Sequence, residues 1–433
     1  MPHQASASTA SAPARGAIGM LVQVRRALSA VDGRVDAWLA AFAGTALVLL
    51  AIVNVTLAQG LGNRCDTCYL AGTEFALATF RQRGPPMDFA QEVLGARRLL
   101  EGRNAYPILE EALPEVGMQG MRAPHASTHP PTAFLFGIPF VGLPWPQAAR
   151  HWGLWMLAVT IVSWRATGLG WPAALALTAW GLAWPPLALS LGQLTPIWLL
   201  GQVLGWHWRH TPWLAGAALG VASLTKFLPA LLLIPFILRG RWAALVGFGV
   251  MWIMAAGLLL WLAPGVFTDY LRVAVPTATD QAARWDNGAF FPVATHRIGP
   301  PAPLLAGLMV TALAVRAVRT TLSAPDLERH TWALWAWLSV VLLPIAWQVS
   351  LLPLATELII VAKSGRFLPR LLAGAAVASS MLLPWDGHLG RNGEGVFLFL
   401  VLTGMALAMH HAARSQQIAY PSIGAVRGPS GAG

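Results

Sequence analysis

The sequence predicts an all-α, polytopic integral membrane protein of ten to twelve spans with a helical first external loop, and three observations carry that prediction. Of the 433 residues, 56% are hydrophobic and only 11% are charged, where a soluble domain carries about a quarter charged. Mean hydropathy over the whole chain is +0.57. The basic residues, which leave a net charge of +11, stand singly or in pairs at the ends of apolar runs. A nucleic-acid-binding protein gathers them into one patch, whereas this distribution orients spans across a bilayer. Two cysteines and no nucleotide-phosphate loop remove further classes.

Residues 1–36 are rich in Ala, Ser and Pro and carry Arg15, Arg25, Arg26 and Arg34. They lack the compact apolar core and small-residue cleavage site of a removed signal peptide, so they read as a disordered cytoplasmic tail. A single membrane domain follows over 37–412, and a second disordered cytoplasmic tail, rich in Ser, Gly and Pro, over 413–433. The first span, 37–58, is long enough at about 1.5 Å per residue to cross roughly 30 Å of hydrocarbon. The arginines before it start it in the cytoplasm.

Segment 59–130 is then the first external loop. Cys65 and Cys68 can close a small disulfide loop in an oxidising compartment. With His125 and His129 they also have zinc-ligand chemistry, but the long gap between the two pairs is unlike a finger. Tyr69–Phe80 can lie along the interface. The stretch DFAQEVLGARRLLEGRNAY, Asp88 to Tyr106, reads as an amphipathic helix. Phe89, Val93, Leu94, Ala96, Leu99 and Leu100 fall on one side, and Glu92, Arg97, Arg98 and Glu101 towards the other. Gly102 stops it, and Tyr106-Pro107 cannot prolong it. Ile108 to Pro124 reads as irregular.

Beyond His129, apolar spans are expected at roughly 132–144, 147–165, 172–190, 194–208, 212–238, 242–263, 301–319, 331–351, 352–363, 367–384 and 395–412. Many carry prolines, among them Pro139, Pro185, Pro186, Pro229, Pro235, Pro344 and Pro353. Broken helices survive in lipid only against protein or a wet cavity, so these breaks imply an internal chamber. Arg239 and Arg241, then Arg316, Arg319 and Arg329, then Lys363, Arg366 and Arg370, then Arg414 fall at every second boundary and mark the cytoplasm. Segments 264–300 and 385–394 are then external. Between 165 and 240 one long span over 212–238 puts Arg209 outside. A pair broken near Thr225-Lys226 puts Arg209 inside and Lys226 at the outer face, and arginine counting favours that option. Trp145, Trp152, Trp171, Trp184, Trp206, Trp208 and Trp385 cluster at span ends and read as interfacial belts, while Trp332, Trp335 and Trp337 read as packing.

Three side chains bear on chemistry. Asp88 begins a helix at the surface, where an aspartate serves as an N-cap, with Gln91 placed as in a capping box, or as a catalytic carboxylate; the two roles can coexist. Lys226 interrupts an apolar run, which costs a few kcal/mol on insertion scales. It therefore faces a partner such as a phosphate, or it snorkels from a helix end. Gln193 either bonds a polar ligand or satisfies backbone at a broken helix.

The order of Asp-Phe with a helix ending Gly-Arg-Asn-Ala-Tyr-Pro (88–107), His-Pro-Pro (129–131), Leu-Gly-Gln-Leu-Thr-Pro (191–196), Leu-Thr-Lys-Phe-Leu-Pro (224–229) with Arg-Gly-Arg-Trp (239–242), and Leu-Leu-Pro-Ile-Ala-Trp (342–347) resembles glycosyltransferase family 87, over about 37–412. That family comprises polyprenol-phosphate-mannose-dependent mannosyltransferases of the GT-C fold and their bacterial relatives. The resemblance implies a transferase in a bacterial cytoplasmic membrane. It would move a hexose or pentose, mannose favoured, from a polyprenyl-phosphate donor to a glycolipid or glycan acceptor on the external face, with inversion. It implies Asp88 as general base, Lys226 and Arg297 at the donor phosphate, and Glu92, Tyr106, His129, Gln193, Asn287 and Gln348 as substrate contacts. Gln348 departs from the family, whose members commonly have a His just after Pro-x-x-Trp, which bears on mannose specificity. Glu92 stands where an aromatic residue is frequent and, one turn from Asp88, can raise that group's pKa or act as a second acid. A lipid-linked donor needs no nucleotide-binding domain and no further cofactor, and a lone Asp outside any Asp-x-Asp pair argues against a metal. Membrane lipids are the other expected partner, and nucleic acid is not one. A lipid flippase is the competing class, but no internal repeat supports it.

Overall fold

The computed structural model describes residues 87–118, 123–171, 174, 178, 192–282, 287, 289–324, 326–346, 348–362, 367–382 and 392–419. The expected first span at 37–58, Cys65 and Cys68, and most of the expected span at 172–190 lie outside them. The described residues are mostly helical and contain no strand. In chain order the longer helices are α1 (Met87–Leu100), α2 (Trp145–Ala166), α3 (Thr195–His207), α4 (Pro212–Thr225), α5 (Ala243–Leu262), α6 (Val275–Ala282), α7 (Ala302–Ser323), α8 (Arg329–Val341), α9 (Ala355–Ala362), α10 (Phe367–Leu382) and α11 (Asn392–Ala419).

α1 is the surface helix expected from Asp88, and it ends as expected. Gly102 takes φ +66°, and Arg103 N–H donates to Arg98 O at 2.8 Å while Gly102 N–H donates to Leu99 O at 3.2 Å, the two bonds of a Schellman stop. Its burial differs from the two-sided wheel in two places. Leu100, in the last helical position, is 48% exposed, whereas Glu92 is 1% exposed. Glu92 is inside because α1 is enclosed on a second face. A Cβ on Gly95 would lie 2.4 Å from the Phe134 ring, and one on Gly137 would lie 2.3 Å from Glu92 O, so the segment 131–140 lies directly against the stripe 88, 92, 95 and 99.

Prolines set where helices stop. The expected span 132–144 is instead two short 3₁₀ turns, Pro131–Phe136 and Ile138–Phe140. Pro139 lacks a donor and cannot continue an α-helix. The segment Ile108–Pro124 holds a short helix, Leu109–Ala112, and a 3₁₀ turn, Leu113–Val116. The run 212–238 is broken: α4 ends at Thr225, Lys226 is extended at φ −154° and ψ 139°, and the chain resumes as Leu228–Leu233 and Ile234–Leu238. α8 stops at Val341 before Pro344, and a 3₁₀ segment, Gln348–Leu354, precedes α9. At the C-terminus α11 continues to Ala419, past the expected limit at 412.

α4 packs against α3 on one side and α5 on the other, and both contacts depend on small residues. A Cβ on Gly216 would lie 1.8 Å from Ala244 O, one on Gly247 would lie 2.0 Å from Trp213 O, and one on Gly201 would lie 2.6 Å from Ala218 O. Backbones this close gain dispersion and weak polar contacts that bulkier residues forbid. The outer surface is apolar: Ile253 is 74%, Met254 63% and Trp261 79% exposed on α5, and Leu304 65% on α7. Among the described residues α5 and α7 are the helices long and apolar enough to cross a membrane.

Polar groups gather at opposite ends of α4. At its start Arg241 pairs with Asp326 at 2.8 Å, Arg241 Nη1 donates to Arg209 O at 3.0 Å, and Arg239 Nη1 donates to the carbonyls of Thr321 and Ala324 at 2.8 Å each. Arg209 thus sits with Arg239 and Arg241, as the broken-pair option requires. Deeper in, fully buried Glu357 accepts from Gln202 Nε2 at 3.0 Å and Arg329 Nη2 at 3.2 Å, tying α3, α8 and α9 together. At the other end of α4 lies Lys226.

Gly216→Ala and Gly247→Ala are each expected to cost at least about 2 kcal/mol through overpacking, read as a lower melting temperature of the purified protein in detergent. Gly249→Ala, whose Cβ would meet nothing within 4 Å, is expected to leave the melting temperature unchanged or raise it.

Candidate active site

The site forms where α1, the loop before α3, the segment 125–136 and the end of α4 come together. Asp88 lies in the first turn of α1 and is 8% exposed. Its two carboxylate oxygens take different amides: Gln91 Nε2 donates to Oδ1 at 3.3 Å, and Gln193 Nε2 donates to Oδ2. Gln91 is one turn on, but with Met87 already helical and the contact made side chain to side chain, the arrangement is not the capping box considered from sequence. Gln193 is 105 residues away in the sequence, and the local chain delivers it. Gly192 adopts φ +70°, a conformation that favours glycine, and Pro196 then starts α3 with Pro near its first position.

Trp152 secures both partners. Its ring stacks on Phe89 at 4.4 Å and 12°, and its Nε1 donates to Gly192 O at 3.0 Å. Counted from sequence among the interfacial tryptophans, it is instead fully buried. The sequence signal that could have singled it out is Phe89 itself, an aromatic beside the acid that needs a flat partner.

One turn after Asp88, Glu92 Oε1 meets His129 Nδ1 at 2.5 Å. Burial pushes the Glu92 carboxyl above the usual range despite the opposing pull of His129. Burial alone would lower the His129 imidazole, but the Glu92 carboxylate outweighs it and the net shift is upward. Tyr106 is 2% exposed, and its hydroxyl donates to His129 O at 3.0 Å. Burial, with Tyr270 and Glu92 nearby, raises its phenol and keeps it protonated.

Lys226 is half-buried in the break after α4. The break is stabilised from outside: Thr132 Oγ1 donates to Leu224 O at 2.7 Å, satisfying a last-turn carbonyl that the chain leaves open when it turns to Pro229. The ammonium is close enough to Asp88 and His129 for the three charges to act on one another. Asp88, Glu92, His129, Gln193 and Lys226 therefore share one site, with Tyr106 behind His129.

Asn287 does not join them. Its Nδ2 donates to Ala282 O at 2.9 Å and Pro344 O at 3.0 Å, and its Oδ1 accepts from Ala289 N and Ala346 N at 3.0 Å each. The amide is saturated by main chain, so its geometry is that of a staple between two loops, not of a substrate contact as expected from sequence. The side chains of Arg297 and Gln348 lie outside those described. Among the described residues no three His, Cys, Asp or Glu side chains are grouped to hold a metal ion. Chemically, the site combines a buried carboxylate oriented by two amides, a carboxylate-bound imidazole and an ammonium. That set can accept a proton and meet an anion.

A family model described as glycosyltransferase family 87 matches residues 128–344, half of the chain, taking in His129, Gln193 and Lys226 while Asp88 and Glu92 precede it. No curated protein and no solved structure matches. With that match and the ordered motifs that carry it, the chain belongs to glycosyltransferase family 87.

Proposed function

We propose that this glycosyltransferase is a polytopic membrane enzyme of the GT-C type. It moves a hexose or pentose, mannose favoured, from a polyprenyl-phosphate sugar to a glycolipid or glycan acceptor on the external face of the cytoplasmic membrane. The observation that carries the proposal is a buried Asp88 carboxylate oriented by Gln91 and Gln193, with the Lys226 ammonium in the break after α4 near enough for its charge to act on it. The outward apolar residues of α5 and α7 support a lipid surround, and Arg209, Arg239 and Arg241 at the far end support a cytoplasmic side there.

In this mechanism Asp88 takes the proton of the acceptor hydroxyl while that oxygen attacks the anomeric carbon from the face opposite the phosphate, inverting it. Gln91 and Gln193 hold the carboxylate in position. Lys226 meets the phosphate, whose charge grows as the sugar leaves, and a fixed cation in a poorly solvated site stabilises that charge more than water does. Arg297 is a second proposed phosphate ligand and Gln348 a proposed sugar contact. The donor reaches the site within the bilayer, so the reaction needs no nucleotide-binding domain.

With labelled polyprenyl-phosphate mannose, a membrane lipid extract and octyl mannoside as acceptors, the purified protein in lipid nanodiscs is expected to transfer sugar, and Asp88→Asn to lose about 10²- to 10⁴-fold in kcat. A folded Asp88→Asn protein that transfers at the wild-type rate would overturn the assignment. Trp152→Phe retains the stack on Phe89 but leaves Gly192 O without its donor, a loss of about 1–3 kcal/mol. It is expected to lower kcat about tenfold with KM unchanged, because Gln193 no longer aligns Asp88.

A further inference from the structure

The Glu92–His129 pair has no part in the mechanism so far, yet both of its members are held in place at the site. Glu92 is 1% exposed, its Oε2 has no hydrogen-bond partner among the described residues, and its Oε1 is taken by His129 Nδ1 at 2.5 Å. The main chain of His129 is fixed on both sides. Its N–H donates to Ser127 Oγ at 3.3 Å, its carbonyl accepts from Tyr106 Oη at 3.0 Å, and Pro130 and Pro131 restrict the backbone that follows. With Nδ1 occupied, Nε2 is the nitrogen left to act, on a side chain 16% exposed. A carboxylate on Nδ1 is the arrangement that orients an imidazole to carry a proton at Nε2. The charged groups facing the imidazole are Glu92 and Asp88 from α1 and Lys226 from the end of α4. Tyr106 lies behind it, with Tyr270 and Asp269 beyond.

We propose that His129, oriented by Glu92, is the acid partner of Asp88, giving its Nε2 proton to the departing phosphate oxygen while Asp88 takes one from the acceptor hydroxyl. The assignment rests on the function proposed above. The bond between the anomeric carbon and the phosphate oxygen breaks, and its electron pair stays on that oxygen, which takes the proton from Nε2. The bond between the anomeric carbon and the acceptor oxygen forms, and the acceptor's proton goes to Asp88. Proton transfer from Asp88 to His129 restores both groups, with no further reactant. Without the acid, the leaving phosphate would gain a second negative charge in a poorly solvated site, with Lys226 as the described cation opposing it. The Glu92 carboxylate on Nδ1 favours the protonated imidazole and raises its pKa.

The test is the pH dependence of kcat/KM in the nanodisc assay. An acid must hold its proton, so the rate is expected to fall as pH rises through the His129 pKa. Glu92→Gln removes the charge that raised that pKa, and the alkaline limb is expected to move down by about one unit. His129→Asn is expected to lose the limb and about 10²-fold in rate with the polyprenyl donor. It should recover most of that loss with nitrophenyl-phosphate mannose, whose leaving group is less basic. If Asp88→Asn is inactive while Glu92→Gln and His129→Asn, both folded, keep the wild-type alkaline limb and show no donor-dependent rescue, the acid role fails and the function above stands. If the wild-type protein transfers no sugar, both fail.

Discussion

The position of the Asp88 carboxylate depends on a single indole. Trp152 contributes its face to Phe89 and its edge to Gly192 O, and the residues next to those two are Asp88 and Gln193. A stacking contact is broad and tolerant in angle, whereas an N–H to carbonyl bond is directional. Joined in one fully buried ring, they fix both the distance and the rotation of α1 against the loop before α3. Phe140 and Trp155 pack edge-on around the same ring, so the anchor is itself anchored. The amide on Asp88 Oδ2 is thus a consequence of helix packing and not a local feature of α1.

The second constraint is the interruption after Thr225. A continuous helix over 212–238 would bury Lys226 on a wall of apolar side chains. The extended residue there frees the ammonium from the helix, and Thr132 closes the exposed end at Leu224 O. The same hydroxyl ties the 3₁₀ segment 131–136 to α4, and that segment covers the Glu92 side of α1. The Asp88 carboxylate, the His129 imidazole and the Lys226 ammonium are therefore held by parts of the chain that touch one another directly.

Much of this was legible in the sequence. The start of α1 beside Asp88, its stop at Gly102, the break at Thr225-Lys226 and the family all follow from local chemistry: an acid in the first turn, a left-handed glycine, a proline three residues past a lysine, and an ordered set of motifs. What was not legible depends on contacts between distant segments. Glu92 has the composition of a polar-face residue, and only the approach of Gly137 to its carbonyl encloses it. Asn287 is expected as a substrate contact from the family resemblance alone, and here four main-chain groups from distant loops use its whole hydrogen-bonding capacity. Segment 132–144 has the hydropathy of a span, yet Pro131 and Pro139 divide it into turns. Glu357, missed from sequence, reads as one acid in an apolar run until Gln202 and Arg329 are seen beside it.

α5 carries Gly247 on the inside, against Trp213 O, and its bulk on the outside, where Ile253, Met254 and Trp261 point away from the protein. This reverses the distribution of size found in a water-soluble helix, where large side chains fill the interior. Tolerance to change along α5 should be reversed with it. Its outward positions can exchange one bulky apolar residue for another with little effect, while Gly247 at the seam with α4 accepts no added atom.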